Sequence, residues 1–298
     1  MGSYPPVPPR DAQQGSRGGS GYEPEILPPK PGYAPAPQPA RRRRPLWAMS
    51  PATVALVGIN CLVFLGMNMQ QLGLTGPSTR QLVQWGADNA GLVLIYGEWW
   101  RIVTAMFVHV GLLHILVNMW CLWNLALLAE PLMGSFGVFA VYLLTGAAGN
   151  LLSTCVNWWR YYPDLARYHD IGVFPLGAGA SGAVFGIAGA LIVLLKSPRL
   201  PVPPMELRRL RKSVIYFAAI NLVLGFGINV GASVAHAGLG IDNMAHLGGF
   251  LSGLLFAVPM VPRLGSPRPI FKARLRNAIL LIGGLLVLFS FYLDQLPG

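Results

Sequence analysis

A serine, two histidines and an asparagine supply the side-chain types that break an acyl bond. Ser181 stands in the stretch GAGASGAVFG at 177–186, inside a run from 171 to 195 that holds no charged residue. A serine hydroxyl is a weak nucleophile until a neighbouring base takes its proton, and histidine is the usual base. His246 stands in AHLGGFLSG at 245–253, and His114 and Asn118 in HILVN at 114–118, both in apolar surroundings. Alone, Ser181 is compatible with a packing serine and His246 with a buried histidine bonded to a carbonyl. An ionisable residue within a membrane span nonetheless leans toward function.

The elements that must position these residues are membrane helices. The 298 residues are 53% hydrophobic and 11% charged, with a mean hydropathy of +0.51. A soluble domain carries about 25% charged residues, so the composition predicts an all-α polytopic membrane protein. Apolar segments at 51–69, 112–129, 135–158, 171–195, 213–235, 243–262 and 277–293 are each long enough to cross, or nearly cross, a hydrocarbon core of about 30 Å. Residues 1–46, rich in Pro, Gly, Gln and Arg, read as a disordered tail rather than a cleavable signal peptide. The expected organisation is that tail, a six-helix core at 47–262, and a basic linker with a seventh helix at 263–298. Cys61, Cys121 and Cys155 all fall in apolar runs without metal or disulfide spacing, and read as structural thiols.

The formal net charge of +11 invites a nucleic-acid reading, but the positions of the charges argue against it. Basic clusters at 41–44, at Lys196, Arg199, Arg208, Arg209, Arg211 and Lys212, and at Arg263, Arg268, Lys272, Arg274 and Arg276 all fall on one side of the membrane if the helices alternate. The opposite loops hold only Arg80, Arg101, Arg160 and Arg167. That asymmetry is the positive-inside pattern. It places the N-terminus in the cytoplasm and the C-terminus outside, with the lipid bilayer, not nucleic acid, as the partner.

Topology then allows depth to be counted. At about 1.5 Å per residue from the cytoplasmic helix ends, Ser181 lies roughly 22 Å up, His246 roughly 25 Å, and His114 and Asn118 roughly 24 and 18 Å. These four side chains share one level and could meet. The residues before Ser181, FPLGAGA at 174–180, make a poor helix. If the helix begins near Ser181, irregular backbone must descend into the membrane, where it needs enclosure by protein or a water-filled cavity. A serine there has its amide at the positive end of the helix dipole, ready for an oxyanion. Gly182 with Gly186, and Gly249 with Gly253, each four residues apart, let the two helices carrying Ser181 and His246 approach closely.

These residues resemble the motifs of the rhomboid intramembrane serine proteases. GASG at 179–182 is similar to the family's GxSG, AHLGGFLSG to its AHxxGxxxG, HILVN to its HxxxN, and Trp100 with Arg101 to its first-loop signature. The order agrees from about residue 51 to 262, and the seventh helix resembles the six-plus-one arrangement of bacterial members. The resemblance implies a Ser181–His246 dyad that hydrolyses peptide bonds in or near transmembrane segments through an acyl-enzyme. It implies oxyanion hydrogen bonds from His114, Asn118 and the Ser181 amide, and a water-accessible cavity at His109. Trp100 and Arg101 would shape the protein through a loop lying partly in the membrane, and Glu130 would be structural. Single-span membrane proteins are the implied substrates, neither metal nor other cofactor is required, and the implied location is a bacterial plasma membrane. Many members carry Tyr four residues after the serine; here Phe185 keeps the stacking and lacks the hydroxyl.

Three other readings stay open at this point. Asp242, one turn before His246, could orient it as a third catalytic member or could be solvated. A non-catalytic relative could bind membrane clients, although such relatives lose the serine or the histidine. A small transporter could use the broken helix as its site, but the sequence shows no internal repeat. His169 and His236 read as loop residues, and Asn221 and Asn229 as packing or cavity-facing.

Overall fold

The computed structural model describes residues 46–69, 77–235 and 242–296, with side chains described from residue 48 and not for 224–235. The tail with its arginines at 41–44, His236 and the side chain of Asn229 lie outside the described residues. Among the described residues ten α-helices run in order: α1 (Leu46–Met49), α2 (Pro51–Asn68), α3 (Thr79–Gln84), α4 (Ala90–Leu94), α5 (Arg101–Thr104), α6 (Leu112–Tyr168), α7 (Ser181–Leu194), α8 (Pro204–Ala235), α9 (Asn243–Ala257) and α10 (Arg268–Asp294), with short 3-10 turns at Ala105–Phe107 and Ile171–Val173. No strand occurs among the described residues, and the only β-type pairing is an isolated bridge between Asp88 and Gly177. By length and composition α2, α6 and α10 can cross a membrane.

The two segments expected at 112–129 and 135–158 are arms of α6, separated by Gly134 at φ 72° and ψ 165°. That left-handed φ suits glycine, which has no Cβ to clash. His114 on the first arm and Gly149 on the second both lie against the ends of α7 and α9 that carry Ser181 and His246, so the arms run back past each other. Glu130, near the turn, accepts from the Ala52 and Thr53 amides at 2.9 and 3.0 Å and from the Thr53 hydroxyl at 2.6 Å. It thereby caps the start of α2, whose first amides have no partner within the helix.

Several helix ends differ from expectation. The second arm of α6 continues ten residues beyond 158, where Trp158 is held between Tyr162 and Phe174 at ring-centroid distances of 5.0 and 5.6 Å. α8 and α10 each begin nine residues before the apolar segments expected at 213 and 277, because Pro is tolerated at a helix start and the basic stretches that follow are rich in Arg, Lys and Leu, which are good helix formers. The larger correction concerns 171–195, where only Ser181–Leu194 is α-helical.

α7 is the enclosed centre of the bundle. Every residue from Gly182 to Leu191 is buried, so it needs no polar face. It packs most heavily against α9 and α6. The glycines explain how: a Cβ on Gly249 would overlap the Gly182 carbonyl, and one on Gly253 the Gly186 carbonyl, while one on Gly186 would land on Thr145. Backbone therefore meets backbone where these helices cross.

Candidate active site

α7 has 14 residues and a length of about 21 Å, well short of a hydrocarbon core of about 30 Å. Its other end lies near Lys196, so its first residue, Ser181, sits below the far surface. The preceding backbone must then find its hydrogen-bond partners within the protein. It finds them in the loop between α2 and α6. The amides and carbonyls of Asp88 and Gly177 exchange two bonds of 2.8 Å, the Gly179 amide donates to the Ala105 carbonyl at 2.9 Å, and the Asn89 side chain donates to the Phe174 carbonyl at 2.9 Å. The Ala180 amide points at His109 Nε2 at 3.5 Å. An accepting Nε2 makes His109 the neutral Nδ1–H tautomer, and its Nδ1 lies 3.3 Å from the Phe107 carbonyl.

His246 Nε2 lies 2.8 Å from Ser181 Oγ. The imidazole is 6% exposed and stacks on Phe185, with centroids 4.5 Å apart and rings 15° from parallel. This stacking and the Ser181 bond define the ring's plane and direction. No described group bonds His246 Nδ1. In particular Asp242, considered above as an orienting acid, is engaged elsewhere. It is the N-cap of α9, accepting from the Ala245 amide at 2.9 Å, and it also accepts from the Ser153 hydroxyl at 2.5 Å.

His114 lies against the loop at Gly179. Gly179 has φ +127°, and a Cβ there would sit 2.7 Å from His114 Cε1 and 3.0 Å from Nε2. Only glycine therefore lets the ring come against the backbone two residues before Ser181. His109 and His114 have ring centroids 5.2 Å apart, and His114 Nδ1 is buried without a partner among the described residues. Asn118, one turn on, is 6% exposed and donates to the His114 carbonyl at 2.9 Å, which leaves its second N–H uncommitted. The Ser181 amide is at the start of α7, where backbone N–H groups lack intrahelical partners and carry the positive end of the dipole. The Ser181 hydroxyl and amide, the His246 and His114 rings and the Asn118 side chain thus lie around the start of α7.

Arg101 and Trp100 stand apart from this chemistry. Arg101 is 5% exposed, bonds the Val83 and Ala87 carbonyls at 2.7 and 3.0 Å, pairs with Glu98 at 2.5 Å, and lies 4.4 Å over the Trp100 ring. It gathers the loop that satisfies the 174–180 backbone. Sequence reasoning missed the side chains that anchor this loop. Asn150 donates to the Ile102 carbonyl at 2.9 Å, Tyr142 to the Met106 carbonyl at 3.2 Å, and Thr154 to Asp88 at 2.9 Å. The available signal was a set of polar residues in the otherwise apolar run of 135–158. Beside the pair, a cavity of about 410 Å³ opens between α7, α8 and α9, lined by Phe185, Ala218, Leu222, His246 and Phe250 among others.

The chain matches the Rhomboid domain over residues 96–263. It is 31% identical over 241 residues to the Rhomboid protease GluP of Bacillus subtilis, covering 80% of this chain and 40% of that protein. It is 32% identical over 187 residues to RHOMBOID-like protein 1 of Arabidopsis thaliana, covering 63% of this chain and 41% of that protein. With the Rhomboid protease AarA of Providencia stuartii it shares 30% identity over 219 residues, covering 70% and 72%. The chain thus spans about two fifths of the first two relatives and nearly three quarters of the third.

Proposed function

We propose, from the premise that this chain belongs to the rhomboid family, that it is an intramembrane serine endopeptidase whose dyad is Ser181 and His246. Ser181 Oγ attacks a peptide carbonyl while His246 Nε2 takes its proton. The negative charge that forms on the carbonyl oxygen is met by the Ser181 amide, the His114 ring and the Asn118 side chain. These donors act most strongly where water is excluded. The imidazolium returns its proton to the leaving amine, and the acyl-enzyme forms. Water, with His246 again as base, then hydrolyses the ester. Phe185 keeps the imidazole plane constant through both half-reactions.

The substrates are single-span membrane proteins whose helix unwinds near the outer face. Peptide carbonyls inside a helix are hydrogen-bonded, and a bond must be freed before attack. The apolar cavity beside His246 supports approach of such a segment from the lipid side between α8 and its neighbours. The core at 47–262 carries the chemistry, and 263–298 adds a linker and one further helix. The location is a bacterial plasma membrane, and the charge asymmetry supports an orientation with the N-terminus cytoplasmic and the C-terminus external.

The observation that carries this reading is the 2.8 Å Ser181–His246 contact at the sunken start of α7. Its test uses the purified chain in detergent with a transmembrane substrate and a serine-reactive fluorophosphonate. Wild type should cleave and label, and Ser181→Ala and His246→Ala should do neither while remaining folded. Cleavage surviving in Ser181→Ala refutes the dyad.

A further inference from the structure

Two carboxyl groups that the chemistry above does not use face each other across Gly177. A Cβ on Gly177 would lie 3.7 Å from Asp88 Oδ2 and 3.6 Å from Asp242 Oδ2, in ordinary contact with both. Each carboxyl is tied to an element of the active site. Asp88 is bridged through its backbone to Gly177, four residues before Ser181, and Asp242 caps α9 one turn before His246. Ser153 and Thr154, adjacent on α6, donate one to each acid.

The two acids are not equivalent. Asp242 accepts from an amide at a helix N-terminus and from a hydroxyl, an arrangement that stabilises a carboxylate. Asp88 is 4% exposed, accepts one hydroxyl, and its Oδ1 has no partner among the described residues. The positive group that acts on it, Arg101 of α5, is already paired with Glu98 and two carbonyls. α9 contributes Asp242, α6 contributes only hydroxyls, and the 174–180 segment contributes no titratable group. A buried carboxyl with an empty oxygen and a carboxylate for a neighbour is more stable with a proton.

We propose that Asp88 is a positioning residue for the Ser181–His246 pair, acting as a neutral acid that lets the loop and α9 close across Gly177, and that its ionisation as pH rises through neutrality loosens this clasp and slows catalysis. The proposal rests on the dyad reading above. Burial pushes the Asp88 carboxyl up to about 7; the Thr154 bond, the Asn89 amide and the charge of Arg101 oppose this, and the charge of Asp242 adds to it. Burial also raises Asp242, against the bonds from Ser153 and the α9 amides. Once Asp88 ionises, two negative groups repel across one glycine, and the elements they anchor are those that bring Ser181 and His246 together.

The experiment measures kcat and the rate of fluorophosphonate labelling from about pH 6 to about pH 9 with the full chain in detergent. Labelling needs no substrate, so a limb common to both readouts belongs to the protein. Wild type should lose about tenfold in both, with a midpoint near neutrality. Asp88→Asn, neutral at every pH, should be active within about threefold of wild type at pH 6 and show no alkaline loss. Asp88→Ala should be slow throughout. Asp242→Asn keeps a competent cap and should also abolish the limb, because an ionised Asp88 then meets no charge. It decides the matter if Asp88→Asn does not fold. A wild type without the limb, an Asp88→Asn that retains it, or a folded but inactive Asp88→Asn overturns the proposal. Failure of the dyad reading is separate, since it appears as activity surviving in Ser181→Ala.

Discussion

At the scale of single residues, the donors around Ser181 should separate from the nucleophile and base in kinetics. In the proposed mechanism His114 and Asn118 touch neither proton in the transfer and act only on charge that develops during attack. Replacing either with Ala should lower kcat by about 10²–10³ with little change in KM, the pattern of a lost oxyanion donor. A matched fall in substrate affinity would assign them to binding. Asp88 has a further consequence for stability. The folded protein holds its proton up to about pH 7, whereas an ordinary aspartate releases it near 3.8. The folded state thus binds more protons between these values, and stability falls as pH rises through that window and levels off above it. Thermal unfolding in detergent should show this decline in wild type and a shallower one in Asp88→Asn. The types of Ser181, His246, His114 and Asn118 were legible in the sequence because polar groups are costly in a membrane span. Asp88 was not, since an acid in a loop is ordinary until burial removes its water.

At the scale of elements, α7 owes its position to glycine. Gly253 presents its α-carbon to the Gly186 carbonyl, and a methyl group there has nowhere to go because the obstacle is backbone. Gly253→Ala should destabilise the protein by about 1–3 kcal/mol, the usual range for overpacking a tight core, and should reduce activity by separating α7 from α9. Gly283 on α10, with nothing within 4 Å of its Cβ position, is the matched control and should tolerate Ala. Melting temperatures of the two variants decide the comparison. The spacing of Gly182, Gly186, Gly249 and Gly253 announced this crossing. The early end of helical structure before Ser181 was also signalled, by Pro175, Gly177 and Gly179. Helix ends elsewhere were less legible, because basic residues at 204–212 and 268–276 read as loop by polarity and as helix by propensity.

At the scale of the whole molecule, the charge distribution predicts orientation. Single cysteines placed at Arg167 and Arg209, in a background lacking Cys61, Cys121 and Cys155, should label from opposite sides. A membrane-impermeant maleimide added outside intact cells should reach position 167 and not 209. Labelling of 209 alone would invert the topology and, with it, the side from which water enters the site.

By itself the sequence determined the membrane class, the helical architecture, the clustering of basic residues in particular loops and the residue types fit for acyl transfer. Each is a property of local composition or spacing along the chain. The tertiary structure alone decided how the broken segment before Ser181 is satisfied, since its partners at Asp88, Asn89, Ala105 and His109 are about 70 or more residues away and no local pattern pairs them. It also decided against Asp242 as a partner of His246. Four residues of spacing allow a helical contact, but an acid at a helix N-cap is drawn to free amides, and here Ser153 takes its other oxygen. Competition among hydrogen-bond partners is settled in three dimensions, where distance along the chain no longer counts.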